Sequence, residues 1–143
     1  MTPKEHLEQI QDIEIEIRHL GVEKRRWMEL ATNITPGMNG ERVQSSGSKQ
    51  KMADTINSGV DDDKEIDRQI DELKAKRQGI INDIWSLKNP YKDILYRVYV
   101  EYQTLKEVAY ERKESYSWIT TAHGIALKKI AGILESRKAT KSN

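Results

Sequence analysis

The sequence predicts an all-α protein, a long antiparallel helical hairpin with coiled-coil character followed by a helix-turn-helix domain. Three observations predict it. Apolar residues recur at steps of three and four over long stretches, the period of a helix stripe. Turn dipeptides gather between residues 33 and 48 and separate two such stretches. Charged residues make up 33% of the 143, Phe is absent and only three Pro occur, which favours long exposed helices over a thick core.

The first helix opens at Thr2-Pro3-Lys4-Glu5. Thr2 is the N-cap, Pro3 suits the first turn, and Glu5 stands three residues after the cap. Ile10, Ile13, Ile17, Leu20 and Trp27 then follow a heptad seam that Lys24 interrupts. Pro36-Gly37, Asn39-Gly40 and Ser45-Ser46-Gly47 mark the connecting loop, about 33–48, and Ser48 is the expected cap of the next helix. Arg42 and the loop serines also have the chemistry to hold an anion before a helix N-terminus, but a Ser/Gly connector accounts for them more simply. Met52, Ile56, Ile66, Ile70, Leu73, Ile80, Ile84 and Leu87 share one register, which Gly59, Asp63 and Arg77 weaken. Residues 1–88 therefore read as an arm that buries little alone and packs against a second copy. Ile81 and Trp85 lie beside the seam, with Trp85 expected in the core where arm meets domain.

Asn89-Pro90 ends the arm and opens a helix from Tyr91 to about Glu101, with Asn89 as cap. Thr104-Leu105-Lys106-Glu107 is a capping box, so another helix starts at Leu105. Leu105, Val108 and Ala109 form its apolar face. The pattern breaks at Arg112-Lys113-Glu114, and Ser115 is a fresh N-cap. The helix that follows puts Ile119, Ala122, Ala126, Ile130 and Ile133 on one stripe. The helix-turn-helix domain spans 89–136, and 137–143 reads as a flexible basic tail.

The stretch 89–134 resembles region 4 of bacterial sigma factors. The resemblance is carried by Leu95, Tyr99-Val100-Glu101, Leu105-Lys106-Glu107-Val108-Ala109, Ser115 and His123-Gly124-Ile125-Ala126-Leu127-Lys128-Lys129-Ile130. It covers about the last third of the chain. Lys113 stands where the motif has a turn Gly, so it must take left-handed backbone or the turn must differ. Glu114 replaces an apolar plug, and Trp118 a small residue. The whole chain is similar to small phage-encoded proteins allied to the ArpU-type late-transcription regulators. That similarity rests on Met1-Thr2-Pro3-Lys4-Glu5, on Arg42-Val43-Gln44-Ser45-Ser46-Gly47-Ser48, on Lys51-Met52-Ala53 and on the C-terminal motif. It implies a phage or prophage protein acting on transcription.

Charge agrees with that expectation. Residues 1–85 carry 13 Lys and Arg against 17 Asp and Glu, a balance of −4, while residues 86–143 carry 11 against 6, a balance of +5. A basic C-terminal third suits phosphate contact. Tyr116, Ser117, Thr120 and Thr121 are expected to face outward on the first turns of the reading helix. Gly124 permits close approach to DNA or another helix. Lys106, Arg112, Lys113, Lys128 and Lys129 are the phosphate candidates. Trp118 is expected to pack within the protein, with thymine methyls or sugar as its other destination. His123 is placed either at a phosphate or at the domain surface.

His6, His19 and His123 lack metal-ligand spacing, and no nucleophile motif or phosphate-binding loop occurs, so neither an enzyme nor a cofactor is expected. With no Cys, disulfides and thiolate metal sites are excluded. No apolar run approaches a membrane span, and the chain is expected in the cytoplasm of a bacterial host. The expected partner is double-stranded DNA, with a second copy of the chain joined through residues 3–88. An alternative from another class is a protein-interaction module that grips RNA polymerase or another regulator without reading DNA. A second alternative is the small DNA-packaging subunit of a phage terminase.

Overall fold

The computed structural model describes the backbone at residues 1–34 and 46–142 and the side chains at residues 1–32 and 64–140. All regular structure there is helical, and no strand occurs among the described residues. The elements are α1 (Pro3–Ile34), α2 (Ser46–Trp85), α3 (Tyr91–Tyr99), α4 (Leu105–Arg112) and α5 (Tyr116–Ser142). The expected loop at residues 35–45, with Arg42 and Ser45, lies outside the described residues. So do the side chains of Ser46, Ser48, Met52, Ile56 and Asp63. α2 starts at Ser46, two residues before the expected cap.

α1 begins as its capping box requires. The Glu5 N–H donates to the Thr2 hydroxyl at 3.1 Å, and the Thr2 N–H donates back to the Glu5 carboxylate at 3.4 Å.

The chain divides into two compact units, 1–14 with 75–143, and 15–74. Residues 75–88, assigned by sequence to the arm, thus share a unit with the C-terminal helices. Among the described residues nearly all the deep core lies in this first unit. Leu7, Ile10, Ile84, Ile94, Leu95 and Ile130 are each fully buried. Within it the start of α1 and the end of α2 pair in opposite directions, His6 with Asp83 and Glu14 with Arg77. In the second unit Ile66 is buried, Ile17, Leu20, Trp27, Ile70 and Leu73 are half-buried, and Lys24 meets Asp67 at 2.7 Å. Two of the charges that interrupt a seam, Lys24 and Arg77, therefore have a carboxylate on the facing helix. That removes the cost of an unpaired charge and adds little more, since such part-exposed pairs contribute about 0–1 kcal/mol.

Asp83 is only 4% exposed. It accepts from His6 Nε2 at 2.8 Å and from both terminal guanidinium nitrogens of Arg137. This carboxylate joins three distant points of the sequence. α5 itself continues to Ser142, across the residues that composition assigns to a tail. Burial raises the Asp83 pKa, but the hydrogen bonds from Arg137 and His6 outweigh it and hold the group below the ordinary carboxylate range. No helix among the described residues is long and apolar enough to cross a membrane.

A depressed folded pKa adds stability that is complete above the unfolded value, about 4, and is lost as pH falls through the lower folded value. Asp83→Asn should lower the unfolding free energy at pH 7 by about 1.5–3 kcal/mol, the worth of hydrogen bonds to a charge. It should also flatten part of the acid-induced loss between pH 5 and 2. Urea unfolding followed by circular dichroism across that range measures both effects.

Candidate nucleic-acid interface

The site is built on α3, α4 and α5, which pack on one another. Ile94, Val108, Ala109, Ile119 and Ala122 form one buried cluster, with Tyr91, Val98 and Leu105 against it. Ala109 and Ile119, ten residues apart on either side of the turn, belong to this one cluster. Pro90 is the N-cap of α3 and makes no side-chain cap bond, so Asn89 does not serve as the cap. Thr104 caps α4, with its hydroxyl accepting from the Glu107 N–H at 3.1 Å. The Glu107 carboxylate takes its return bond from that hydroxyl at 3.2 Å, not from the Thr104 backbone.

The turn resolves the departures in its sequence. Lys113 is left-handed at φ 56 and ψ 43. The Glu114 N–H bonds the Ala109 carbonyl at 3.0 Å, and the Lys113 N–H bonds that of Tyr110 at 3.2 Å. This is the paired closure that normally recruits Gly, and here Lys bears its strain. Glu114, in the place of an apolar plug, is half-buried and accepts from Arg112 at 3.0 Å. Ser115 then caps α5, its hydroxyl accepting from the Trp118 N–H at 3.1 Å.

Burial of Ile119, Ala122, Ala126 and Ile130 turns the opposite face of α5 outward. Tyr116, Ser117, Thr120 and Thr121 are all exposed, and Gly124 is half-buried. A Cβ at Gly124 would meet nothing within 4 Å, so no intramolecular approach demands glycine there. Lys106, Lys113, Lys128 and Lys129 are exposed, with the Lys129 ammonium 5.2 Å from the Tyr91 ring centre.

Arg112 is placed differently from the other basic candidates. It is half-buried between Asp93 and Glu114 and ties α3 to the end of α4. Asp93 also takes Arg97 at 2.9 Å. Burial raises the Asp93 pKa, and the bonds from Arg97 and Arg112 override it and lower the group. The positive charge of Arg112 is thus matched within the protein.

Three aromatic or histidine positions also differ from expectation. Trp118 is 41% exposed, not packed inside. Trp85 is 54% exposed, edge-on to Tyr96 at 6.1 Å with Lys92 over its ring, so it is not core. His123 lies half-buried, stacked on Tyr99 and 2.9 Å from its hydroxyl. Burial, with Lys4 nearby, lowers the His123 pKa, while burial pushes Tyr99 up to about 12. The hydrogen bond shared by His123 Nε2 and the Tyr99 hydroxyl ties α5 to α3. No family model, curated protein or solved structure matches this chain.

Sequence reasoning marks Trp85 but misses its surface groove. Trp85, Asn89, Lys92, Asp93, Tyr96 and Arg112 line an open hollow of about 590 Å³. The one sequence signal for it is the Lys92, Asp93, Tyr96 spacing, which puts these residues on one side of α3, with Asn89 just ahead of the helix.

A left-handed Lys carries a cost that Gly does not. Lys113→Gly should stabilise the domain by about 1 kcal/mol, read as a raised denaturation midpoint at unchanged slope.

Proposed function

We propose that the chain is a phage or prophage transcription regulator that binds double-stranded DNA through a helix-turn-helix formed by α4 and α5. One observation carries this reading. Ile119 and Ala122 are locked into a core shared with α3 and α4, while the first two turns of α5 present an uninterrupted exposed surface. That is the arrangement by which such a motif offers a helix to the major groove. Exposed Lys106, Lys113, Lys128 and Lys129 supply phosphate contacts around it. Arg112, with two carboxylates, is left out of the proposed contact set. The reading includes a sigma-region-4-like arrangement of 89–136, a hairpin arm over residues 1–88, no enzymatic activity, and the cytoplasm of a bacterial host.

The full-length chain should bind random-sequence duplex DNA with an affinity that falls steeply with salt, because Lys contacts release counterions. Lys128→Glu combined with Lys129→Glu should weaken binding to all sequences alike and flatten the salt slope by about two, one for each lysine that no longer neutralises a phosphate. Filter binding from 50 to 200 mM salt decides it, and unchanged affinity in the double variant removes the basic end from the grip.

The arm is proposed to join two copies. Ile15 and Val22, seven residues apart on α1, are exposed, as are Met28 and Leu30. Light scattering across the micromolar range should give a mass above that of one chain, and a monomer throughout would end this part of the proposal. A second reading, a module that grips RNA polymerase or another regulator, is favoured by the exposed Trp85 and its groove, since exposed Trp often anchors protein interfaces. A terminase-like packaging subunit would instead assemble into rings.

A further inference from the structure

The chemistry of the exposed turns of α5 narrows which DNA the proposed reader prefers, an inference that rests on the reading just given. The exposed side chains there are Tyr116, Ser117, Trp118, Thr120 and Thr121. None carries an amide, a carboxylate or a positive charge. In the major groove, guanine is recognised chiefly by Arg or Lys at O6 and N7, adenine by Asn or Gln, and cytosine by a carboxylate. Thymine differs, because its C5-methyl takes apolar contacts. Two indole and phenol rings, 41% and 51% exposed, and two threonine methyls suit that contact.

The hydroxyls are less free than their number suggests. Thr120 donates its proton to the Tyr116 carbonyl at 2.9 Å, within its own helix. Ser115, the cap, already accepts from the Trp118 N–H. The nearest cations on the chain lie outside these turns: Lys113 in the turn before, and Lys128 and Lys129 more than three helical turns from Tyr116. They suit phosphates, not the same base edges.

We infer that the ligand class of this surface is duplex DNA whose major groove presents a cluster of thymine methyls, an A·T-rich half-site read by Trp118, Tyr116, Thr120 and Thr121. The discriminating group is the methyl itself, so the test removes only the methyl. Duplexes selected by the full-length chain from a random-sequence pool are remade with deoxyuridine in place of thymidine. Affinities for both forms, and for the unselected pool, are compared at one salt concentration. The selected sites should be A·T-rich, and deoxyuridine should weaken them about fourfold for each methyl contacted, the worth of one buried carbon. The unselected pool should be indifferent. Tyr116→Ala and Trp118→Ala with Thr120→Ser and Thr121→Ser, all at exposed positions, should abolish the thymine–uracil difference. Selected sites rich in G·C, or sites that keep full affinity with deoxyuridine, overturn the inference and leave the DNA-binding reading standing. Failure to bind even the unselected pool overturns both.

Discussion

The burial of Ile119 against Ala109, with Ile94, Val108 and Ala122 closing the same cluster, is the contact on which the rest of the C-terminal arrangement depends. The short helices α3 and α4, of nine and eight residues, have no stability in isolation. Each is held because one side of it is removed from water by the other and by α5. Once Ile119 and Ala122 point inward, helical periodicity leaves no choice for their neighbours. Tyr116, Ser117, Thr120 and Thr121 must face out. The proposed reading surface is thus a consequence of the core, and its geometry is set by a turn closed through Lys113 and capped by Ser115.

Charge performs two separate tasks around this core. Asp83 is held by Arg137 of α5, and Asp93 by Arg97 one turn along its own helix and by Arg112 of α4. Both carboxylates are pulled upward by burial and further downward by their partners. Such networks give orientation more than net stability, because desolvation offsets much of the attraction. The second task, contact with phosphates, is proposed for the exposed lysines Lys106, Lys113, Lys128 and Lys129. A count of basic residues does not separate the two groups. Arg112 and Lys113 are adjacent in sequence, yet one is half-buried between carboxylates and the other is exposed.

The acidic arm and the basic domain also differ in the depth of their cores. In the unit made of residues 15–74 the seam residues Ile17, Leu20, Trp27, Ile70 and Leu73 keep part of their surface in water. A two-helix seam cannot cover itself on all sides, and Ile15 and Val22 remain outside it. This supports the proposal that a second copy completes the arm.

Local signals carried much of this in the sequence alone. The capping boxes at Thr2 and Thr104, the cap at Ser115 and the inward stripe from Ile119 to Ile130 depend on residues within a few positions of each other, so they were legible directly. The strain at Lys113 was legible in part, because the resemblance puts it where the motif has a turn Gly and so left either left-handed backbone or a different turn. What sequence could not determine were choices made between distant residues. Whether Arg112 meets a phosphate or Asp93, and whether Arg137 is held, depend on partners 19 and 54 positions away, and whether Trp85 and Trp118 are covered depends on how the helices pack. Those partners are brought near only when the apolar stripes close, because periodicity says which side of a helix is buried but not which helix buries it.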